Sequence, residues 1–252
     1  MKILALFFLG LVQGLTEFLP VSSSGHLVLF SKIFGIEESL FVSIILHVAT
    51  LLSIIVVFRK DVWQMICHPL SKETMMIVVA TIPTCFLCLL LMPIIKMSFS
   101  GGLLPLCFLI SAILLLVSER TSRRKTQKDI SYKSAFLIGV AQGFAVFPGV
   151  SRSGATISAG LLSGSSKEDV TKFSFLMSIP IILLSLVMEV FEIAVGGQAV
   201  NVSTIGICIS FATAFVTGIL AIKMMISATK RSSLKYFAFY LILISILSFF
   251  VL

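Results

Sequence analysis

Charge is what this sequence has least of: 12% of its 252 residues are Asp, Glu, Lys or Arg, against 58% that are hydrophobic, and the mean hydropathy is +1.14. Soluble domains carry roughly a quarter charged residues, so the shortage excludes a water-facing surface over most of the molecule and leaves lipid as its solvent. Cysteine supplies no framework either. Cys67, Cys85, Cys88, Cys107 and Cys208 are odd in number and four of them sit in apolar segments, which argues against a disulfide scaffold. Cys85 and Cys88 have the spacing of a redox or zinc motif, but no histidine or second pair lies near them in IPTCFLCLLLMP, and they are read as packing. Residues 1–19 resemble a signal peptide only superficially. They lack a small-residue cleavage site and are interrupted by Gln13 and Glu17, so they are expected to stay in the mature chain.

What is present is a series of apolar runs of spanning length, near 39–58, 75–95, 103–119, 171–191, 203–226 and 234–252. Two further apolar stretches, 3–35 and 132–163, are broken near their middles by Pro, Gly and Ser. Unpaired backbone amides at such breaks cannot face lipid, so both stretches are read as re-entrant helical hairpins buried in protein or lining a wet cavity. The two breaks align without a gap: QGLTEFLPVSSSGHL at 13–27 and QGFAVFPGVSRSGAT at 142–156 share 7 of 15 positions. Each half is therefore one hairpin followed by three crossings, and an odd number of crossings inverts the second half. The expected fold is an all-α polytopic membrane protein, six transmembrane helices plus two re-entrant hairpins in an inverted-topology repeat. It forms a single membrane domain over 1–252, with repeat one at 1–120, a basic cytoplasmic loop at 120–133 and repeat two at 131–252. Hairpins entering from opposite faces can meet at the midplane, where inverted-repeat proteins place polar sites.

The formal net charge of +8 does not point to nucleic acid, because the basic residues lie between apolar runs rather than on one face. They report orientation instead. With the 120–133 loop cytoplasmic, 15 of the 19 basic residues fall inside, Lys2, Lys32 and Lys96 fall outside, and Arg152 sits in the second break. Both termini and the first hairpin then face the exterior.

The breaks carry the chemistry. Gln13 and Glu17 lie one helical turn apart and can address one ligand, and a carboxylate at membrane depth is a functional hypothesis by default. After Pro20, the run Ser22, Ser23, Ser24, Gly25 caps a helix starting near His26, whose exposed amides suit a phosphate. The second break repeats the device with Pro148, Gly149, Ser151, Ser153 and Gly154. Arg152 replaces Ser23 in the alignment and can hold phosphate oxygens in a fork, a role compatible with a salt bridge to Glu17 in the ligand-free protein. His26 suits a nucleophile, general base or general acid. His47 is read as a helix-packing residue with some claim to the site, and His68 as an inert loop residue. Val146 and Ala155 stand where Glu17 and His26 have their counterparts, so the N-terminal half is read as catalytic and the C-terminal half as an anion clamp.

With these motifs in place, the sequence resembles the undecaprenyl-diphosphate phosphatase family associated with bacitracin resistance, along essentially its whole length. The first family signature appears as Gln13, Glu17, Pro20, Val21, Ser22, Ser23, Gly25 and His26, and the second as Pro148, Gly149, Val150, Ser151, Arg152, Ser153 and Gly154. The resemblance implies hydrolysis of a polyprenyl diphosphate in the bacterial cytoplasmic membrane, at a site reached from the outer face. It implies a divalent cation (Mg2+ or Ca2+, with Glu17 as ligand) and no organic cofactor. Glu17, Ser23, His26 and Arg152 match the functional positions, with Ser23 and His26 both open as nucleophile. Gln13, Ser22, Ser24, Gly25, Ser151, Ser153 and Gly154 are expected to bind substrate. Partners are the lipid and the bilayer, with a homodimer left open. Two positions depart from the family pattern: Gln13 stands where Glu is commoner, and Leu241 follows Tyr240 where Arg is expected, which weakens any role for that helix. The competing class is an inverted-repeat transporter or lipid flippase, which would not need a Glu and a His in one repeat alone. A type-2 phosphatidate phosphatase is set aside because no distal histidine follows Ser151 and Arg152.

Overall fold

A chain in hydrocarbon must pair its backbone amides within its own segments, and helices do this locally. The computed structural model describes residues 3–35, 39–122, 128–196, 203–231 and 233–252, and every regular element among them is a helix. The first broken stretch gives α1 (Ile3–Phe18) and α2 (Ser23–Phe34), followed by α3 (Leu40–Val57), α4 (Arg59–Cys67), α5 (Lys72–Ser98) and α6 (Leu104–Ser122). The second broken stretch gives α7 (Tyr132–Phe144) and α8 (Arg152–Leu162), followed by α9 (Lys167–Gly196), α10 (Thr204–Arg231) and α11 (Lys235–Val251). Helices α3, α5, α6, α9 and α10 are long and apolar enough to cross a membrane. The run expected as a sixth span, 234–252, forms the shorter α11 of 17 residues. Prolines at 83, 93 and 180 lie inside α5 and α9 without ending them. Positions 123–127 of the expected basic loop lie outside the described residues.

The connections sort to two ends of the bundle. At one end Lys172 reaches Asp61 at 2.5 Å and Lys167 reaches Glu119 at 2.8 Å. There the Lys128 amide also donates to the Gly164 carbonyl at 3.0 Å, and the Leu234 amide points to Glu119 at 3.4 Å. At the other end Lys32 Nζ donates to the Ser100 carbonyl at 2.6 Å. Within lipid the apolar effect between helices is absent, so close packing and interhelical hydrogen bonds decide which helices pair. Ser53 donates to the Phe215 carbonyl (2.9 Å), Thr84 to Gly139 (2.8 Å) and Ser245 to Pro105 (2.7 Å), joining α3 to α10, α5 to α7 and α11 to α6. Each such bond contributes roughly 0.6–1.7 kcal/mol. Around them, Phe18, Phe108 and Phe175 are fully buried in the main apolar cluster.

Helix α4 was not expected, because nine residues with two cations and an aspartate carry no spanning signal. It rests on the bundle through Val62 and Met65 and turns Trp63, Ile66 and the following Leu70 outward, all strongly exposed. An apolar stripe flanked by Arg59 and Lys60 is the composition of a helix lying in the headgroup region. Trp63 is the protein's single tryptophan, so its emission reports this helix alone. In vesicles it is expected to be quenched more by lipids brominated near the headgroup than by lipids brominated deep in the chain. Quenching by aqueous iodide alone would show the helix standing in water.

Candidate active site

The two breaks meet. In the first, Pro20 removes a donor, the Val21 amide turns back to the Leu19 carbonyl at 2.7 Å, and Ser22 takes φ 69° before α2 begins. A left-handed serine is costly, and the bonds it makes offset the cost. Its hydroxyl accepts the Gly25 amide (3.4 Å) and the Gly149 amide of the second break (3.1 Å), while its carbonyl accepts the His26 amide at 3.2 Å. In the second break Gly149 has φ 91°, and Ser151 caps α8 by accepting the Gly154 amide at 3.0 Å. Ser111 of α6 braces this turn, donating to the Gly149 carbonyl and accepting the Ser151 amide. The N-termini of α2 and α8 are thereby brought together, tied further by the Ser153 hydroxyl donating to the Leu19 carbonyl at 2.9 Å.

Glu17 is at the centre of the junction, its side chain only 3% exposed. One carboxylate oxygen is ion-paired with Arg152, which comes from 135 residues away. The other accepts the Ser23 hydroxyl at 2.5 Å and the Gln13 amide at 3.1 Å. Four expected site residues therefore form one bonded cluster. Gln13 Oε1 is buried without a hydrogen-bond partner. A small pocket leads to this cluster, lined by Glu17, Phe18, Arg152, Ser153, Ser174, Phe175 and Ser178. Ser24 is half-buried in the first turn of α2, and Gly25 and Gly154 are buried beneath the caps.

His26 is engaged elsewhere. Its Nδ1 lies 2.8 Å from the Ser22 carbonyl, which can only accept, so Nδ1 carries the proton. Its Nε2 therefore receives the Tyr240 hydroxyl at 2.7 Å, and the two rings stack with an interplanar angle of 5°. His26 thus holds the turn that presents Ser23. The repeat partner of Gln13, Gln142, has moved away from such a role: its amide donates to Thr84 at 3.3 Å.

Three site neighbours had no place in the sequence reading. Tyr240 stands on α11, the helix set aside because Leu241 replaces an expected Arg; Leu241 itself is fully buried in the core. Ser174 and Ser178 are one turn apart on α9, and that spacing of two hydroxyls in an apolar run was the available signal. His47 does not line the pocket; it pairs with Glu189. His68 is the exposed cap residue after α4.

The bacitracin resistance protein BacA family model matches residues 6–247. An undecaprenyl-diphosphatase of Thermosipho melanesiensis is 39% identical over 248 residues, covering 96% of each chain. One of Carboxydothermus hydrogenoformans is 38% identical over 236 residues, covering 92% of this chain and 90% of its own. One of Christiangramia forsetii is 40% identical over 245 residues, covering 92% and 91%.

Proposed function

The chain belongs to the bacitracin resistance protein BacA family, and from that premise we propose that its reaction is carried out where the two breaks meet, by Glu17, Ser23, His26 and Arg152. It is an undecaprenyl-diphosphatase, hydrolysing undecaprenyl diphosphate to undecaprenyl phosphate and inorganic phosphate and so returning the lipid carrier to cell-wall synthesis. The observation that carries the site assignment is a single buried carboxylate bonded at once to a serine of one break and the arginine of the other.

In this reading Arg152 turns from Glu17 to the arriving diphosphate and holds its terminal oxygens, assisted by the first-turn amides of α2 and α8. Ser22, Ser24, Gly25, Ser151, Ser153 and Gly154 shape those two turns around the phosphate. Ser23 Oγ attacks the terminal phosphorus as Glu17 takes its proton. The bridging P–O bond breaks and its electrons leave on the lipid monophosphate; water then attacks the phosphoserine, and Glu17 returns the proton to Ser23 Oγ as the serine P–O bond breaks and inorganic phosphate leaves. His26 positions Ser23 through the Ser22 carbonyl. The all-oxygen set of Gln13 Oε1, Glu17 and Ser23 Oγ fits a hard divalent cation, Mg2+ or Ca2+, completed by substrate phosphate. When bound, such a cation supplies charge neutralisation for the diphosphate.

The wider arrangement follows the distribution of lysine and arginine. We place the end of the bundle bearing α4 and the 120–133 loop in the cytoplasm, make α1–α2 and α7–α8 re-entrant from opposite faces of an inverted repeat, and open the site to the outer face of a bacterial cytoplasmic membrane. The test of the site assignment is phosphate release from a polyprenyl diphosphate. Ser23→Ala is expected to fall to background. Tyr240→Phe, which removes one neutral hydrogen bond from His26, is expected to lose roughly tenfold. An active Ser23→Ala enzyme would transfer the attack to another group.

A further inference from the structure

Arg152 is the first residue of α8, so the direction its guanidinium takes depends on how the first turn of α8 is rotated about the helix axis. One turn further along the same face stands Thr156, fully buried. Its hydroxyl lies 3.0 Å from the Arg152 carbonyl and 3.1 Å from the Ser153 carbonyl, and both of these can only accept, so its one proton goes to them. The 2.6 Å bond between the Thr156 and Ser174 hydroxyls is therefore donated by Ser174, on α9. The two carbonyls at the end of this chain of bonds belong to the residues that tie α8 to the first break, Arg152 through Glu17 and Ser153 through the Leu19 carbonyl.

Helix α9 braces the other half of the junction as well. Phe175, next to Ser174, meets Phe18 edge-on with ring centroids 5.8 Å apart and planes at 89°, and Phe18 directly follows Glu17. Ser174 and Phe175 both line the pocket at the ion pair, and both are buried. Towards α6, α8 is held by Ser111 at the break and by Ser118, whose hydroxyl donates to Ser158 at 3.1 Å. Where lipid supplies no apolar drive between helices, interhelical hydrogen bonds of this kind decide rotation. The bond to Ser174 is the one that acts on the turn beginning with Arg152.

We propose that Ser174 is a positioning residue for the phosphatase reaction: through Thr156 it sets the rotation of the first turn of α8, and with it the aim of the Arg152 guanidinium at the terminal phosphate. The inference rests on the site reading above, in which Arg152 turns from Glu17 to the substrate. Once the guanidinium leaves Glu17, the ion pair no longer holds it, and the backbone of α8 must keep it in line. Ser174, with its proton committed to Thr156, acts through Arg152 rather than on the substrate.

The test is phosphate release from a polyprenyl diphosphate by Ser174→Ala, Thr156→Val and the two combined, each in the wild-type and the Arg152→Ala background, with thermal unfolding in detergent measured alongside. Each is expected to lower release roughly 10–10²-fold in the wild-type background, and the combination to cost no more than the larger single change, because both remove one bond. In the Arg152→Ala background the same changes are expected to cost less than about twofold, since no guanidinium is left to aim. Exchanging the two residues, Ser174→Thr with Thr156→Ser, keeps the bond and is expected to restore most of the activity. If a single variant does not fold, the combined one, which strands no hydroxyl, decides; failure of all three to fold would make the bond structural only and overturn the proposal. Folded variants with wild-type release, an equal loss in both backgrounds, or a folded exchanged pair without recovery would overturn it too, leaving the phosphatase site intact. An Arg152→Ala enzyme within about tenfold of wild type would instead remove the site reading beneath it.

Discussion

Arg152→Ala is expected to lower phosphate release by about 10²–10³-fold, the loss that follows removal of a charged group aimed at developing negative charge. It is also expected to destabilise the protein, because Glu17 would be left with its side chain 3% exposed and its counter-ion gone. Breaking one partner of a buried pair costs about 3–5 kcal/mol, much of it the stranded charge rather than the lost attraction. Stability and activity should therefore separate in a double-mutant cycle. Adding Glu17→Gln to Arg152→Ala removes the stranded charge and should recover most of the melting temperature, while phosphate release is not recovered and stays at or below that of Arg152→Ala. Thermal unfolding in detergent read alongside phosphate release checks both halves. An Arg152→Ala enzyme within tenfold of wild type would mean that the guanidinium serves the ion pair alone.

Gly25→Ala is the other large effect. A Cβ at Gly25 would stand 2.7 Å from both the Cα and the N of Gly149 and 2.8 Å from the Phe108 ring. Two of those atoms are backbone of the opposite break, so relief requires the two breaks to part. Overpacking of this sort costs about 1–3 kcal/mol, but the functional cost is larger, since parting the breaks withdraws Ser22 from the Gly149 amide and Arg152 from Glu17. Phosphate release is expected to drop to background with a lowered melting temperature. Gly102→Ala, where a Cβ meets nothing within 4 Å, is the matched control and should behave as wild type. A Gly25→Ala protein with wild-type activity would show that close contact between the breaks is not required.

Much of the molecule was legible before any coordinates. The five long helices were readable because a spanning segment must satisfy a local rule, a sustained apolar run bounded by polar residues, and each observed helix contains or closely matches its expected run. The internal repeat was readable as direct likeness between 13–27 and 142–156, and it brought Arg152 into consideration beside Ser23 and Glu17. Helix α4 escaped because its nine residues are neither apolar enough to span nor patterned over enough turns to declare a face.

The sequence by itself determined the solvent, the helical class, the two breaks and the residue types able to handle a phosphate, since all of these depend on composition and on neighbours within a turn or two. Only the tertiary structure decided which residues meet: that Glu17 bonds Ser23 and Arg152 together, that His26 gives its Nε2 to Tyr240 from 214 residues away, and that His47 finds Glu189. Those pairings depend on helix rotation and depth. In lipid, rotation and depth are fixed by close packing and by the need of each buried polar group for a partner, conditions that hold for the whole bundle and for no segment alone.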